Sequence, residues 1–349
     1  MNKQHTLYQE DITNILSVPG VEQLHNKSFL ITGATGLIGV QLIDALMALG
    51  DVHIVAVGRS REKARDRLGE YFDNPCFTFL EHDVTQPFNF QLSTTINFQL
   101  STLNYIIPLA SNTHPLAYSQ YPLETILINI KGAEHALRLA AQCGATVLYP
   151  STVEVYGNAR GDDVFTEDYT GALNLSNARS CYPESKRTCE ALCHSFISEH
   201  NVMVKIVRLS RVFGPTMLQS DTKASSQFIR NAIAGEDIVL KSRGEQYFSY
   251  TYVADAVAAI LYVLLHGETG IPYNVSGGPD CDVRLRDFAA CCAAYNGRNV
   301  VFDLPSDVES RGFSIATRAI LDSTRLRNLG FQPHYTIDDA IRRTINQLK

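Results

Sequence analysis

The run Cys181-Tyr182-Pro183-Glu184-Ser185-Lys186 holds two side chains that can do redox chemistry together. On a helix, i, i+4 spacing puts Tyr182 and Lys186 on one face. A phenol with an ordinary pKa near ~10 is a poor base at neutral pH unless an ammonium stabilises the phenolate, a task open to Lys186. Tyr-x-x-x-Lys alone recurs as a surface pair, so its meaning depends on what accompanies it. Upstream stands Pro150-Ser151-Thr152-Val153-Glu154-Val155-Tyr156-Gly157, at the C-terminal end of a predicted strand, where open α/β sheets place their chemistry. Thr152 offers a hydroxyl, and Glu154 either moves a proton or steers a substrate; its plainer role is a hydrogen-bond acceptor behind the site.

A third pattern is Ile31-Thr-Gly-Ala-Thr-Gly-Leu-Ile-Gly39, in which Gly33, Gly36 and Gly39 follow an apolar strand and open an apolar helix. Such a loop lets the backbone approach a pyrophosphate, and the helix N-terminus adds free N–H groups and a positive dipole end. The spacing is G-x-x-G-x-x-G, weak evidence alone and stronger here, after a strand and ahead of an Asp83 that can meet an adenine. Beyond the second strand a carboxylate would favour NAD and an arginine NADP. The chain has Val57-Gly58-Arg59-Ser60-Arg61 there, so both cofactors stay open, and Arg59 can equally cover an adenine or start a helix.

These groups must be positioned by a regular framework. Strands are expected at Ser28–Thr32, His53–Val57, Thr78–Leu80, Tyr105–Leu109, Thr146–Tyr149 and Val202–Leu209, with helices at Ile38–Leu49, Arg61–Tyr71, Leu123–Cys143 and Tyr182–Ser198. Near-continuous apolar strands separated by helices argue for a parallel sheet covered on both faces. The expected division is an N-terminal extension at 1–26, docked on the rest, then a dinucleotide-binding domain at 27–214 with 248–268. A smaller lobe at 215–247 with 269–349 would take the substrate. The tandem Asn89-Phe-Gln-Leu-Ser-Thr94 and Asn97-Phe-Gln-Leu-Ser-Thr102 reads as a local duplication lengthening a surface connection.

A formal charge of −6 gives no broad basic field, which argues against a nucleic-acid partner. The start Met-Asn-Lys-Gln-His lacks the apolar stretch of a secretion signal, and no later run is long and apolar enough to span a bilayer, so a cytoplasmic protein is expected. Eight cysteines without a Cys-x-x-Cys pair read as reduced structural thiols. Ten histidines without metal-binding spacing predict no metal; His114, just past the fourth strand, is a candidate for the nicotinamide or sugar pocket.

Taken together, residues 27 to 349 resemble the extended short-chain dehydrogenase/reductases that modify nucleotide sugars, the NAD-dependent epimerase/dehydratase family. Further matches are Leu109-Ala110-Ser111, Asn129-x-x-Gly132, Arg208 followed by Gly214-Pro215, and Tyr252-Val253-x-Asp255. The resemblance implies a Rossmann-type doubly wound parallel sheet with a smaller C-terminal substrate-binding lobe. Cofactor contacts would come from Gly33, Thr35, Gly36, Leu37, Ile38, Gly39, Arg59, Asp83, Val84, Leu109, Ala110, Ser111, Tyr182 and Lys186. In that family the tyrosine assists hydride transfer at sugar C4, the lysine binds the nicotinamide ribose and the threonine hydrogen-bonds the 4-hydroxyl. Tyr182, Lys186 and Thr152 match those positions.

A 4-ketone formed this way acidifies C5–H and turns a C6 carboxylate into a β-keto acid. Thr152-x-Glu154 is similar to the 4,6-dehydratases and UDP-glucuronate decarboxylases rather than to simple 4-epimerases, which carry a small residue at the last position. Val153 stands where dTDP-glucose-type dehydratases have an aspartic acid. The pattern is closest to the decarboxylases, through Ala117-Tyr-Ser-Gln-Tyr-Pro122, Ala178-Arg179-Ser-Cys-Tyr182 and Arg208-Leu-Ser-Arg-Val-Phe-Gly-Pro215. Two positions depart from it: Arg211 replaces a substrate-binding asparagine, and Phe248 replaces an arginine that meets the diphosphate. Candidate substrate contacts are therefore His114, Arg179, Arg211, Gln246 and Arg318. The expectation is a nucleotide-sugar lyase, decarboxylating or dehydrating, that works with NAD (NADP possible) in polysaccharide or glycoconjugate precursor synthesis. Rivals are a 4-epimerase, an NADPH-dependent 4-keto-sugar reductase, and a non-catalytic sugar-nucleotide or redox sensor. The resemblance also implies a homodimer joined through the Leu123–Cys143 and Tyr182–Ser198 helices.

Overall fold

The computed structural model describes residues 2–88, 103–113, 115–304 and 317–349; the tandem repeat at 89–102 and His114 lie outside them. Thirteen strands are described: β1 (Ser28–Thr32), β2 (His53–Gly58), β3 (Phe77–Glu81), β4 (Tyr105–Pro108), β5 (Thr146–Thr152), β6 (Val204–Leu209), β7 (Arg211–Phe213), β8 (Ile238–Leu240), β9 (Tyr247–Tyr252), β10 (Pro272–Val275), β11 (Asp282–Arg284), β12 (Val300–Phe302) and β13 (Arg318–Ala319). The helices are α1 (Thr6–Leu16), α2 (Leu37–Leu49), α3 (Arg61–Leu68), α4 (Pro115–Gln120), α5 (Pro122–Cys143), α6 (Cys181–His200), α7 (Ala224–Ala234), α8 (Val253–His266), α9 (Leu285–Ala294), α10 (Thr324–Leu329) and α11 (Ile337–Leu348).

Seven strands form one sheet in the order β3-β2-β1-β4-β5-β6-β10, every neighbouring pair parallel. Alternation along each strand serves both faces. Phe29, Ile31, Ile54 and Ala56 join the core beneath α1, α2 and α8, while Leu30, Val55 and Val57 join the core beneath α5 and α6. Two buried faces explain the near-continuous apolar strands, and the doubly wound architecture is as expected. Strand order reverses between β1 and β4, so a crevice opens at their C-terminal ends, where the glycine loop and Leu109-Ala110-Ser111 emerge.

A second sheet runs β11-β9-β13, with β7 along β9, and a two-stranded ladder joins β8 to β12. One apolar core runs from Tyr8 through the main sheet to Phe288 and Ile345, so these smaller sheets share it with the large one. The N-terminal extension belongs to that core as well. Tyr8, Ile12 and Ile15 of α1 are buried, and Asp11, with no exposed surface, accepts hydrogen bonds from the Tyr252 hydroxyl (2.6 Å), the Tyr335 hydroxyl (2.8 Å), Arg343 Nε (3.0 Å) and Gln347 Nε2 (2.8 Å). The Tyr252-Val253-x-Asp255 motif thus acts as an anchor. Asp255 accepts from the backbone N–H groups of His334 (2.8 Å) and Tyr335 (3.1 Å), and burial pushes its carboxyl up to about 7.

Boundaries moved little. β5 runs on to Thr152, where Tyr149 was the expected end, because Pro150, Ser151 and Thr152 pair in register with Val207, Arg208 and Leu209 of β6. The Arg61 helix stops at Leu68 and tightens into a 3-10 turn over Gly69–Tyr71.

Candidate active site

At the cofactor end the backbone does most of the shaping. Gly33 adopts φ +64°, and a Cβ there would lie 2.7 Å from the Ala110 nitrogen. At Gly39 a Cβ would lie 2.5 Å from the Gly33 carbonyl oxygen, so the first turn of α2 packs onto the loop only without a side chain. Gly36 is the N-cap of α2 and no side chain caps it among the described residues, which leaves the helix N-terminus and its positive dipole end for an anion. Hydrogen bonds hold the loop: Ala34 N–H donates to the Val57 carbonyl (3.2 Å), Gly36 N–H to the Gly33 carbonyl (2.9 Å), and Ala110 N–H to the Thr32 hydroxyl (3.1 Å). Leu37, Ile38 and Thr35 line its partly buried outer side, and the Thr216 hydroxyl donates to the Leu37 carbonyl (2.7 Å). The cradle fits a dinucleotide pyrophosphate.

Other cofactor candidates surround the same crevice. Asp83 is exposed, and its carboxyl, which accepts from Thr85 N–H (2.9 Å), is held below the usual range chiefly by that bond. Val84 is buried against Gly132 of α5. The Arg59 guanidinium pairs with Glu124 at 2.9 Å, with both side chains well exposed. From Ser111 a relay crosses to α6. The Ser111 hydroxyl donates to Asn129 Oδ1 (2.6 Å), Asn129 Nδ2 to the Ser185 hydroxyl (2.8 Å), and Ser185 to the Tyr182 carbonyl (2.9 Å). Leu109 and Ala110 sit partly buried just ahead of it.

At the other end of the crevice, α6 buries both Tyr182 and Lys186. Thr152 ends β5 on this side, and burial and then the charge of Glu154 push the Tyr182 phenol up, opposed by the Thr152 hydroxyl and by Arg179. The expected phenol–ammonium contact is replaced by another arrangement. Lys186 Nζ donates to the Pro150 carbonyl (2.9 Å) and lies 5.0 Å over the Tyr149 ring, and burial lowers its own pKa.

Glu154 is fully engaged. Arg179 donates from Nη1 to one carboxylate oxygen (2.8 Å) and from Nη2 to the other (3.0 Å), a bidentate pair with each side chain about a quarter exposed. The same guanidinium lies 5.3 Å over the ring of Tyr118, and Tyr118 stacks on Tyr182 with ring centres 4.7 Å apart. Tyr118 was missed as a site residue; its stretch was recognisable in sequence, but only the α4–α6 packing shows what the ring touches. Arg211 approaches from β7, its guanidinium 3.4 Å from the centre of the Phe248 ring. Gln246 and Arg318 turn elsewhere: the Gln246 amide pairs with the Ser242 hydroxyl (3.2 Å), and Arg318 lies over Tyr247 and meets Asp162 and Asp163. Two of the four described substrate candidates, Arg179 and Arg211, therefore join Thr152, Glu154 and Tyr182.

Among the described residues no helix is long and apolar enough to cross a membrane, and no group of three or more His, Cys, Asp or Glu could hold a metal. The model of the NAD dependent epimerase/dehydratase family matches residues 29–276. UDP-glucuronic acid decarboxylase 6 of Arabidopsis thaliana is 32% identical over 254 residues, spanning 73% of this chain and 70% of that protein. UDP-glucuronic acid decarboxylase 1 of Xenopus tropicalis is 29% identical over 328 residues, 93% of this chain and 72% of that one. In fold the chain is similar to dTDP-glucose 4,6-dehydratase of Streptomyces venezuelae (TM-score 0.77, 21% identity, 92% of this chain and 96% of that one). It is also similar to UDP-glucuronic acid 4-epimerase of Bacillus cereus (TM-score 0.75, 20% identity, 92% and 98%). Glycine loop, Thr152, Tyr182 and Lys186 all fall inside the matched span, and the chain belongs to the NAD-dependent epimerase/dehydratase family.

Proposed function

We propose that this protein decarboxylates a sugar nucleotide of the UDP-glucuronate type. The observation that carries this reading is the Glu154–Arg179 pair. Dehydration across C5 and C6 needs a base for C5–H and an acid for the leaving hydroxyl. Both oxygens of Glu154 are taken by Arg179, and its neighbour Val153 has no proton to give. Decarboxylation needs no base for C5–H and no acid for a leaving hydroxyl: a β-keto acid expels carbon dioxide once C4 is a ketone, the C4 oxygen accepts the electron pair, and C5 then takes one proton from water.

A nicotinamide bound in the crevice would supply hydride transfer to and from C4. Tyr182 takes the 4-hydroxyl proton while Thr152 orients that hydroxyl. Lys186, set at the Pro150 carbonyl, binds the nicotinamide ribose. When carbon dioxide leaves, negative charge collects on the C4 oxygen, where the Tyr182 and Thr152 hydroxyls donate to it. Glu154 holds Arg179 and Tyr118 in place beside the ring. NAD is favoured over NADP because the matching family model is that of the NAD dependent epimerases and dehydratases. The segments 215–247 and 269–349 form the lobe that takes the sugar nucleotide. Leu123 and Leu127, exposed on α5 beside α6, support a homodimer through those helices, and eight free thiols suit a reducing cytoplasm.

Incubation of the NAD-loaded protein with UDP-glucuronate, followed by NMR of the sugar, tests the reading. The expected product is the UDP-pentose, with one carbon dioxide released per sugar. Recovery of the C4 epimer alone would overturn it in favour of an epimerase, and a 4-keto-6-deoxy product from NDP-hexoses would show a dehydratase.

A further inference from the structure

Thr152 lies level with Leu209 in the β5–β6 ladder, so the chain leaving β6 brings Arg211 to the edge of the sheet beside Thr152. There Arg211 pairs in register with Tyr250 of β9, and its guanidinium sits over Phe248. The ring fixes the cation without offering a lone pair, so the N–H groups stay uncommitted. Among the described residues Nη1 of Arg211 is buried and has no hydrogen-bond partner, and the same holds for Nε of Arg179. The charged and phenolic groups that bear on Arg211 are Tyr250, Glu154, Arg179 and Tyr118, while burial pulls its pKa down. Two guanidiniums therefore face one carboxylate, Glu154, which Arg179 already occupies. Among the described residues no carboxylate pairs with Arg211, and its buried Nη1 is an unpaired donor that is costly until an anion fills it.

Resting on the decarboxylase reading above, we propose that Arg211 is the specificity-determining residue for a carboxylate on the sugar ring. Its place beside Thr152 and Glu154 puts it at the sugar end of the cleft, away from the glycine loop. A planar guanidinium held on an aromatic face presents two N–H groups to one carboxylate, a geometry that neither a lysine nor a neutral amide reproduces.

The test compares UDP-glucuronate, UDP-glucose and UDP, which differ only in the carboxylate and the sugar, binding to the NAD-loaded wild type and to Arg211→Met, Arg211→Lys and Phe248→Leu. Thermal melts establish that each variant is folded. Wild type is expected to prefer UDP-glucuronate over UDP-glucose by about ten- to a hundredfold, the range for hydrogen bonds to a charged group. Arg211→Met should erase that preference and leave UDP-glucose and UDP unchanged, with the loss appearing in KM more than in kcat. Arg211→Lys should recover part of it, and Phe248→Leu, which keeps the arginine and removes its platform, should weaken UDP-glucuronate alone. Equal weakening of all three ligands by Arg211→Met would place the guanidinium on the diphosphate and overturn the proposal, as would no change in any. If wild type binds UDP-glucose and UDP-glucuronate equally, only this proposal falls; if it binds none of the three, the decarboxylase reading falls with it.

Discussion

The two ends of the crevice are built from different materials. At the cofactor end, shape comes from backbone and from the absence of side chains: a Cβ at Gly33 or Gly39 would collide with main-chain atoms. At the sugar end, shape comes from side chains carried by separate elements, with Glu154 after β5, Tyr118 on α4, Arg179 ahead of α6 and Arg211 on β7, linked by ion pairing and ring stacking. A backbone cradle recognises what all its ligands share, a pyrophosphate. A side-chain cluster recognises what differs between them, and it changes when a residue such as Arg211 or Phe248 is exchanged.

The sharpest break falls where the two ends meet. Tyr182→Phe removes the proton carrier and should cut turnover by roughly a thousandfold, within the range for general acid–base groups, while NAD still binds; steady-state kinetics and NAD titration check both. Gly39→Val should act at the cofactor end alone. Its Cβ would lie 2.5 Å from a main-chain oxygen, so the loop must shift, and a displacement on the order of 1 Å costs about a hundredfold in turnover. NAD affinity by calorimetry should fall with it, and an unchanged affinity would show that the loop tolerates a side chain.

Glu154→Gln acts at the sugar end. If the carboxylate only holds Arg179 and Tyr118, turnover should drop by about tenfold or less; a loss of a thousandfold or more would make Glu154 a proton carrier and restore dehydration as the reaction. The smallest effect belongs to Arg59→Ala. An exposed pair such as Arg59–Glu124 contributes little, so NAD affinity should change by less than about fivefold, and a marked swing in the ratio of NAD to NADP binding would break that expectation.

Legibility in the sequence followed the same division. β1 was readable because the four consecutive apolar or β-branched positions Phe29 to Thr32, opened by Ser28, suit a strand buried on both faces of a parallel sheet. The ends of β5 and α3 were not, since pairing with β6 and a tightened last turn set them. The sheet of β7, β9, β11 and β13 was not anticipated: β7, β11 and β13 run only two or three residues, too short for periodicity, and they have no place except alongside β9. Lys186 was recognised as a site residue, but its hold on the Pro150 carbonyl depends on where β5 ends against α6.

By itself, the sequence determined the doubly wound sheet and the glycine cradle, because local spacing along strands and helices dictates them, and the family resemblance brought Thr152, Tyr182 and Lys186 forward as candidates. Only the tertiary structure decided that Arg179 belongs to Glu154, that Tyr118 stacks on Tyr182, that α1 is part of the core through Asp11, and that Nη1 of Arg211 is buried without a hydrogen-bond partner among the described residues. Those contacts join residues dozens to hundreds of positions apart, and their energies depend on burial that exists only once the sheets are assembled.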